Sequence, residues 1–233
     1  MIATPDNNSA PRTRKIRSFV RREGRITTAQ RQAMEVLWPK YGLDAGSPCD
    51  PERIFGRRAP ISLEVGFGNG AALSRMAAAD PATDFIGIEV HRPGIGRLLL
   101  ELEKQGLGNV RIFREDAVQV MQECLPPACL DRLLLFFPDP WHKKRHHKRR
   151  IVQAEFIELA AWLLRPGGTL HMATDWDDYA VQMLQVSEQS AAFRNCAGSG
   201  SYSPRPDYRP VTRFEQRGLK LGHAVRDLLF ERL

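Results

Sequence analysis

The sequence predicts an α/β fold in which a mostly parallel, twisted sheet carries helices on both faces. Short apolar runs alternate with helix-like segments from residue 61 onward, which is the pattern of a doubly wound sheet. A glycine-rich turn follows the first run, where such sheets bind nucleotides. The chain has 233 residues and 42% hydrophobic content, enough to bury one core of this kind. We therefore expect one domain with an N-terminal helical extension over residues 17–233, preceded by a mobile basic tail over residues 1–16.

The individual elements follow from hydrophobic spacing. Met34, Leu37 and Trp38 recur at helical spacing behind a candidate cap at Thr27, which predicts a first helix over residues 27–38. Five apolar runs predict strands over Ile61–Val65, Phe85–Val90, Val110–Phe113, Leu133–Phe137 and Thr169–Ala173. The segments that alternate with them predict helices over Ala71–Ala79, Gly94–Gln105, Ala117–Cys124 and Ile151–Leu164. The Pro-Gly-Gly at residues 166–168 is a stop signal for the last of these helices.

Positive charge is concentrated in two short segments. The nine residues from His142 to Arg150 are all Lys, Arg or His, and residues 1–25 hold seven Lys or Arg against Asp6 and Glu23. The whole chain carries only +7, so the remainder is net acidic. This segregation indicates a polyanionic partner, most often RNA or DNA. No apolar stretch reaches about 18 residues, which excludes a membrane-spanning helix as an interpretation.

Cysteine and histidine usage bears on redox state and metals. The four cysteines, Cys49, Cys124, Cys129 and Cys196, are too few and too scattered for a disulfide framework. The N-terminal segment is polar and lacks an apolar stretch that would serve as a signal, so we expect reduced thiols and a cytoplasmic protein. His142 and His146 have the i, i+4 spacing of a metal pair, but the flanking cations repel Zn²⁺. We expect no metal.

A glycine-rich turn and three acids at strand ends predict the ligand crevice. The turn after Ile61–Val65 has GxGxG spacing, unlike the GxGxxG of dinucleotide-binding turns. Glu89 ends the second strand, nineteen residues past Gly70, where a carboxylate binds ribose hydroxyls. Glu64 and Asp116 occupy matching positions on the first and third strands. Together they favour an adenosine ligand, and the residues expected around it are Glu64, Gly66, Gly68, Gly70, Glu89 and Asp116.

An acidic and aromatic loop follows the fourth strand. In the segment FFPDPW, residues 136–141, the prolines stiffen the chain and Trp141 offers a stacking surface. Asp139 can accept hydrogen bonds from the Watson–Crick edge of a guanine. A buried turn with a packing tryptophan is the alternative. The basic run begins at the next residue, so we expect RNA phosphates to bind beside this loop.

With these motifs the chain resembles the bacterial tRNA (guanine-N7)-methyltransferase family, the TrmB family, from about Arg17 to Leu233. The most specific match is FPDPWHKKRHHKRR at residues 137–150, followed by TRFE at residues 212–215. Further matches lie at residues 18–25, 63–70, 87–91 and 173–176. The resemblance implies a Rossmann-like, class I adenosylmethionine-dependent fold. It also implies that the target is the guanosine at position 46 in the variable loop of tRNA.

The resemblance also implies roles for single residues. Asp139 is implied as the catalytic residue. Contacts to S-adenosyl-L-methionine are implied for Glu64, Glu89, Asp116 and Asp139. Contacts to the target guanosine are implied for Lys143, Asp175, Thr212, Arg213, Phe214 and Glu215. RNA contacts are implied for Arg145, His146, His147, Lys148, Arg149 and Arg150.

The chemistry of guanine N7 shapes the expected mechanism. N7 carries a lone pair and no proton, so no base is required and positioning should dominate. We expect Asp139 to stabilise positive charge that develops on the purine, while Asp175 and Glu215 orient the base. Two rivals are a nicotinamide-linked oxidoreductase, which the GxGxG spacing disfavours, and a non-catalytic RNA-binding protein. An enzyme that methylates another RNA is the principal alternative.

Overall fold

The computed structural model describes residues 24–46, 48–212, 215–216 and 224–233. The predicted tail and the predicted site residues Arg213 and Phe214 lie outside these ranges. The helices are α1 (Thr28–Val36), α2 (Trp38–Tyr41), α3 (Pro51–Phe55), α4 (Ala71–Ala79), α5 (Arg92–Gln105), α6 (Ala117–Glu123), α7 (Ala154–Leu163) and α8 (Asp177–Glu188), with a 3-10 helix over Lys144–Arg149. The strands are β1 (Gly42–Leu43), β2 (Ile61–Val65), β3 (Asp84–Ile88), β4 (Val110–Phe113), β5 (Leu130–Phe136), β6 (Leu164–Thr174), β7 (Phe193–Asn195) and β8 (Arg226–Arg232).

Within the described ranges, the strands form a single sheet in the order β1-β4-β3-β2-β5-β6-β8-β7. All neighbours pair in parallel except β8, which is antiparallel to both β6 and β7. The predicted mostly parallel sheet is therefore confirmed. The two strands at the C-terminal end add an antiparallel pair that the apolar runs did not predict.

Two apolar layers cover the two faces of the sheet. On β5, Leu133 and Leu135 pack against α6, α7 and α8, whereas Leu134 and Phe136 pack against α1, α4 and α5. This alternation follows from the two-residue repeat of a strand. Because both faces are covered, every residue of the central strands β2 and β3 is buried.

The chain places its ligand crevice at the point where the strand order reverses. From β2 the chain proceeds outward to β3 and β4, then returns to β5 on the other side of β2. In sheets of this kind, ligands bind beyond the carboxyl ends of the strands at that reversal. The turn after β2 and the loop after β5 therefore face each other across one crevice.

The N-terminal extension begins with a capped helix that packs against α5. The predicted cap is present, because Thr27 Oγ1 accepts from the Gln30 backbone N–H at 3.3 Å and Gln30 Oε1 accepts from the Thr27 N–H at 2.9 Å. α1 then packs against α5, with Gly96 of α5 directly beneath Gln30. Among the helices of the described residues, none is both long and apolar enough to cross a bilayer.

Candidate active site and nucleic-acid interface

The turn after β2 is shaped by three glycines. Gly66, Gly68 and Gly70 have φ values of 70°, 59° and 73°, a left-handed conformation that other residues seldom adopt. At Gly70 a side chain would also collide with Leu98, because a Cβ there would lie 2.6 Å from the Leu98 Cβ. The turn delivers the chain into α4, and its open side faces the crevice. This arrangement lets a ligand approach the backbone closely.

Glu89 is fixed by the backbone around it. Its carboxylate accepts hydrogen bonds from Gly68 N–H at 2.8 Å, Val90 N–H at 2.7 Å and His91 N–H at 2.9 Å. The side chain therefore ties the end of β3 to the glycine turn. An ionised carboxylate offers about four acceptor positions, so three bonds leave about one for a ligand hydroxyl. This is fewer than the two ribose bonds that the sequence led us to expect.

Glu64 lies buried beneath the same turn. Glu64 is only 3% exposed. Its Oε2 atom has no hydrogen-bond partner within the described part of the chain. Burial, reinforced by the negative charge of Glu89, raises the pKa of Glu64 to about 8. A buried acceptor without a partner is costly. Glu64 is therefore suited to a cationic or hydrogen-bonding group of a ligand that enters the crevice.

The crevice consists of two cavities on either side of Phe136 and Phe137. The larger, about 460 Å³, is lined by Glu64, the glycine turn, the start of α4 and residues 210–212. The smaller, about 230 Å³, is lined by Glu89, Glu115, Pro138 and Asp139 among others. Gly66 borders both. The structure thus brings five of the six predicted crevice residues together with Asp139 at one edge of the sheet: Glu64, Gly66, Gly68, Gly70 and Glu89.

Asp116 does not line either of these two cavities. Its Oδ1 atom accepts the Val118 backbone N–H at 3.0 Å and so caps α6. The neighbours Glu115 and Ala117 line the smaller cavity, whereas Asp116 borders a separate cavity of about 540 Å³ that also contacts Lys148 and Arg149. Its described role is structural, and its contact with a cofactor stays a prediction.

The loop of residues 137–141, between β5 and the basic segment of residues 142–150, has an unusual backbone. Phe137 and Trp141 both have positive φ, 52° and 48°, although neither is glycine. Such residues cost of order 1–3 kcal/mol each and are retained where the surroundings hold them, often at functional sites. Between them, Asp139 is exposed and reaches the smaller cavity. The loop therefore presents an acid on a stiff, strained turn.

The basic segment forms a 3-10 helix of its own, Lys144–Arg149. The sequence placed a helix over 151–164, whereas α7 begins at Ala154 with Gln153 as its N-cap. Lys143, Lys144, Arg145 and Lys148 are exposed. The segment is therefore a helix separate from α7.

Two residues of the basic segment pack against Trp141 of the loop. The Arg149 guanidinium lies 4.9 Å from the centre of the Trp141 ring, and the His146 ring meets Trp141 edge-on at 5.9 Å. Burial and the surrounding Arg and Lys charges lower the pKa of His146. His142 packs in the same edge-on manner on Trp176, at 4.3 Å between ring centres. Through Trp176 the segment adjoins Asp175, which is half-buried at the end of β6.

Arg150 departs from the other cations of the segment. It is only 2% exposed, and its guanidinium bonds the Pro140 carbonyl, Gln182 and Asp178. A side chain with its donors used inside the protein is not available to phosphate. A contact of Arg150 with RNA would require these bonds to break, and it stays a prediction.

The segment before the C-terminal strand also departs from expectation. Glu215 is 4% exposed, and its carboxylate accepts two hydrogen bonds from Arg209, each at 2.8 Å. Thr212 and Glu215 also cap each other, because each side chain accepts the other's backbone N–H. Thr212 lines the larger cavity, and its contact with the target guanosine stays a prediction. Glu215 instead faces inward onto Arg209, and its contact with the guanosine stays a prediction.

A buried ionic cluster underlies Glu215, and no motif in the sequence indicated it. Arg209, 1% exposed, bonds Asp227 of β8 at 2.6 Å, and Asp227 bonds His171 of β6 at 2.8 Å. Tyr208 completes the chain through the other nitrogen of His171, at 2.8 Å. Burial lowers the pKa of His171 despite the nearby Asp227 carboxylate. A neutral His171 that donates to Asp227 and accepts from Tyr208 satisfies every partner.

The charges of this cluster are held ionised by their partners. Burial alone would raise the pKa of Asp227, but hydrogen bonds from His171 and Arg209 outweigh it, and the pKa is lowered. Burial alone would lower the pKa of Arg209, but Glu215 and Asp227 raise it. The cluster therefore anchors the wall of the larger cavity, residues 210–212, to the sheet.

Comparison with known proteins fits this geometry. The profile of a family described as "Putative methyltransferase" matches residues 58–228. A tRNA (guanine-N(7)-)-methyltransferase of Alcanivorax borkumensis is 57% identical over 220 residues, which cover 94% of this chain and 92% of that protein. This chain belongs to the bacterial tRNA (guanine-N7)-methyltransferase family. The family resemblance predicted from the motifs is thus confirmed.

A further member of the family, from Methylococcus capsulatus, is 58% identical over 219 residues, 94% of this chain and 95% of that protein. Solved structures support the fold. The 16S rRNA methyltransferase KamB superimposes with a TM-score of 0.60 at 14% identity, covering 83% of this chain and 98% of that one. The aminoglycoside resistance methyltransferase NpmB1 gives 0.53 at 15% identity, covering 78% and 91%. The predicted class I methyltransferase fold is confirmed.

The placement of possible ligand side chains bears on metal binding. In the part of the chain that the structure describes, no three His, Cys, Asp or Glu side chains are grouped as a metal site. His142 and His146, the spacing of which suggested a pair, instead contact Trp176 and Trp141 respectively.

Proposed function

We propose that this chain transfers a methyl group from S-adenosyl-L-methionine to N7 of a guanosine in tRNA, at position 46 of the variable loop. The proposal depends on three features that lie side by side in a chain whose family has this activity. A crevice of nucleotide-binding type, the acid Asp139 and an exposed cationic segment meet at one edge of the sheet. We also propose that the protein acts in the cytoplasm, which its four free cysteines support.

The residues around the two cavities fit S-adenosyl-L-methionine. When bound, it supplies a methyl group activated on a positively charged sulfur. Glu64 provides a buried carboxyl oxygen without a partner, which suits a cationic group. Glu89 retains about one acceptor position for a ribose hydroxyl, and the glycine turn admits the ligand to its backbone. Asp139 lines the same crevice from the opposite side.

The protein's contribution to the reaction is chiefly positional. Guanine N7 carries a free lone pair, so the protein removes no proton from it. Holding two reactants in line can contribute roughly 7–11 kcal/mol. The stiff loop after β5 and the wall formed by residues 210–212 border the space where a base would lie. Their rigidity is what fixes the base relative to the methyl donor.

Asp139 supplies the electrostatic contribution to methyl transfer. When N7 gains a bond, the purine becomes positively charged and its N1–H and exocyclic amino group become stronger donors. A carboxylate that accepts from them binds more tightly in the transition state than in the ground state. Asp139 is exposed at the crevice, where it can accept such bonds. Asp175, at the end of β6, is the second acid proposed to orient the base.

The exposed cations beside the loop hold the tRNA backbone. Lys144, Arg145 and Lys148 extend to solvent from the 3-10 helix. Phosphate contacts position a nucleic acid without reading its sequence. Lys143, the residue next to this helix and also exposed, is the cation proposed to reach the target nucleotide.

The proposal is tested by incubating the protein with methyl-labelled S-adenosylmethionine and unmodified tRNA. Reduction followed by aniline treatment cleaves the chain at 7-methylguanosine. We expect label in the tRNA and a single cleavage in the variable loop. Label without cleavage, or label only in another RNA, would contradict the proposed substrate atom or substrate.

Replacement of Glu89 by Ala should weaken binding of S-adenosylmethionine by roughly 10- to 150-fold. The substitution removes a charged acceptor, worth about 1.5–3 kcal/mol, and it releases the glycine turn from β3. Calorimetric titration with S-adenosylhomocysteine measures the effect. Replacement of Glu35, an exposed acid on α1, is the control. Equal affinity in the two variants would remove Glu89 from the cofactor site.

Replacement of Lys144, Arg145 and Lys148 by Ala should reduce the salt dependence of tRNA binding. Each phosphate contact contributes about −0.9 to the slope of log K against log[salt], so the slope should flatten by roughly 2 to 3. Affinity for correct and incorrect tRNAs should fall almost equally.

The matched control removes the same charge from the opposite edge of the sheet. Arg53, Arg58 and Lys104 are exposed there, before β2 and at the end of α5. Their replacement by Ala should leave the slope near that of the parent protein. If both triple variants flatten it equally, the cations of the 3-10 helix are not specific phosphate contacts.

A further inference from the structure

The basic segment ends in a guanidinium that faces the protein interior. Arg150 Nε donates to the Pro140 carbonyl at 2.9 Å, and one terminal nitrogen donates to Gln182 Oε1 at 2.7 Å. The other terminal nitrogen donates to Asp178 Oδ2 at 2.5 Å and to His147 Nε2 at 3.1 Å. Four of the five N–H groups of an arginine are thus engaged. The guanidinium also lies 4.7 Å from the centre of the Tyr179 ring.

These contacts connect the parts of the site that carry its two proposed acids. Pro140 directly follows Asp139 in the loop after β5. Asp178 and Gln182 belong to α8, which begins two residues after Asp175. Arg150 is therefore a bridge between the two chain segments that present Asp139 and Asp175. Its contact on the loop is a main-chain oxygen, so the bridge restrains the backbone next to Asp139.

The chain around Arg150 is held in the same way. Gln182 donates to the Val152 carbonyl at 3.0 Å, and Tyr179 accepts the Val152 N–H at 3.2 Å. His147 accepts from Arg150, so its Nε2 atom carries a lone pair and not a proton in this arrangement. The exit of the basic segment is thus fastened to α8. For Arg150 to reach a phosphate, these bonds would have to break.

We propose that Arg150 is a positioning residue for methyl transfer, which fixes the loop carrying Asp139 relative to α8 and the adjoining Asp175. This inference rests on the proposed function. It differs from the role of the exposed cations, because Arg150 acts through protein contacts and not through phosphates.

The test uses Arg150→Lys, which keeps the charge but cannot maintain four directed bonds. We expect the single-turnover rate at saturating tRNA and cofactor to fall at least tenfold. Cofactor affinity and the salt slope of tRNA binding should remain unchanged. Hydrogen exchange of residues 137–143 should become faster, whether or not methyl transfer is measured. Asp178→Asn weakens one partner of Arg150 and should also lower the single-turnover rate. In the double variant, the fold-reduction in that rate should be smaller than the product of the two single fold-reductions.

Lys148→Gln is the matched control. It removes an exposed cation of the same segment, so it should flatten the salt slope by about 1 while leaving exchange in residues 137–143 unchanged. A flattened slope in Arg150→Lys with a normal saturated rate would show a phosphate contact and overturn the inference. An unchanged single-turnover rate together with unchanged hydrogen exchange of residues 137–143 in Arg150→Lys would also overturn the inference. If the unaltered protein transfers no methyl group to tRNA, the proposed function fails, and the exchange measurement still decides the role of Arg150.

Discussion

Replacement of Asp139 by Asn is expected to lower the single-turnover rate of methyl transfer by roughly 10- to 1,000-fold. Loss of one preorganised electrostatic contact at a developing charge typically costs about 10²–10³ in rate, and each factor of ten is about 1.4 kcal/mol. Asn has almost the same shape as Asp but lacks the negative charge. Since Asp139 is exposed at the crevice and caps no helix, the fold and most of the tRNA affinity should survive.

Single-turnover measurement with saturating tRNA and cofactor separates this effect from binding. Asp44→Asn removes an exposed acid outside the cavities of the site and should retain the parent rate. A rate for Asp139→Asn within twofold of Asp44→Asn would exclude Asp139 from the catalytic role. A raised KM for tRNA with a normal rate would instead indicate that Asp139 contributes only to binding.

Replacement of Arg209 by Met should lower the free energy of unfolding by about 3–5 kcal/mol. Removing one partner of a buried ionic cluster leaves the others uncompensated, and Arg209 is the only described cation bonded to both Glu215 and Asp227. Met retains most of the aliphatic length. Denaturant titration followed by circular dichroism measures the change.

The control is Arg226→Met, which removes a 41% exposed arginine with a 3.4 Å contact to Asp177. An exposed pair of this kind contributes about 0–1 kcal/mol. Addition of Asp227→Asn and Glu215→Gln to Arg209→Met should recover part of the lost stability, because the buried charges are then removed. If the triple variant is less stable than the single one, charge compensation is not what holds the cluster together.

Elements built from local apolar runs were predictable from the sequence. Ile61–Val65 and Val110–Phe113 were predicted with the bounds that the structure shows, because each is a short, mostly apolar segment that is buried along most of its length. α4 was likewise predicted with its observed bounds. In contrast, β8 carries Arg, Asp and Glu among its apolar residues, so its pairing with β6 depends on partners distant in the sequence.

The error at the start of α7 has a local cause that only the structure reveals. Apolar spacing suggested a helix from Ile151, but residues 151–153 are not helical, and Gln182 and Tyr179 of α8 bond the backbone of Val152. Gln153 donates back to the carbonyls of His147 and Arg150, which closes the basic segment before α7 begins. Tertiary hydrogen bonds here override local propensity.

The site was predictable where its motifs are contiguous and not where it is assembled from afar. Asp139, Glu89 and the glycine turn lie in short segments that directly follow strands, and the structure brings them together. The burial of Glu215 was not predictable, because it depends on the pairing of Glu215 with Arg209. Arg209 is in turn held by Asp227 of β8, a strand that pairs with a distant part of the chain. Arg150 illustrates the same limit, since six neighbouring cations look alike in a sequence and differ in exposure once folded.

The central claim is that the chain methylates N7 of one guanosine in tRNA, and a substitution of that single atom tests it most directly. A tRNA carrying 7-deazaguanosine at the site of aniline cleavage has a C–H in place of N7 and is otherwise closely similar. We expect the protein to bind this tRNA with near-normal affinity and to transfer no label to it, while the guanosine tRNA is labelled under the same conditions. Equal label in the two tRNAs would contradict the account.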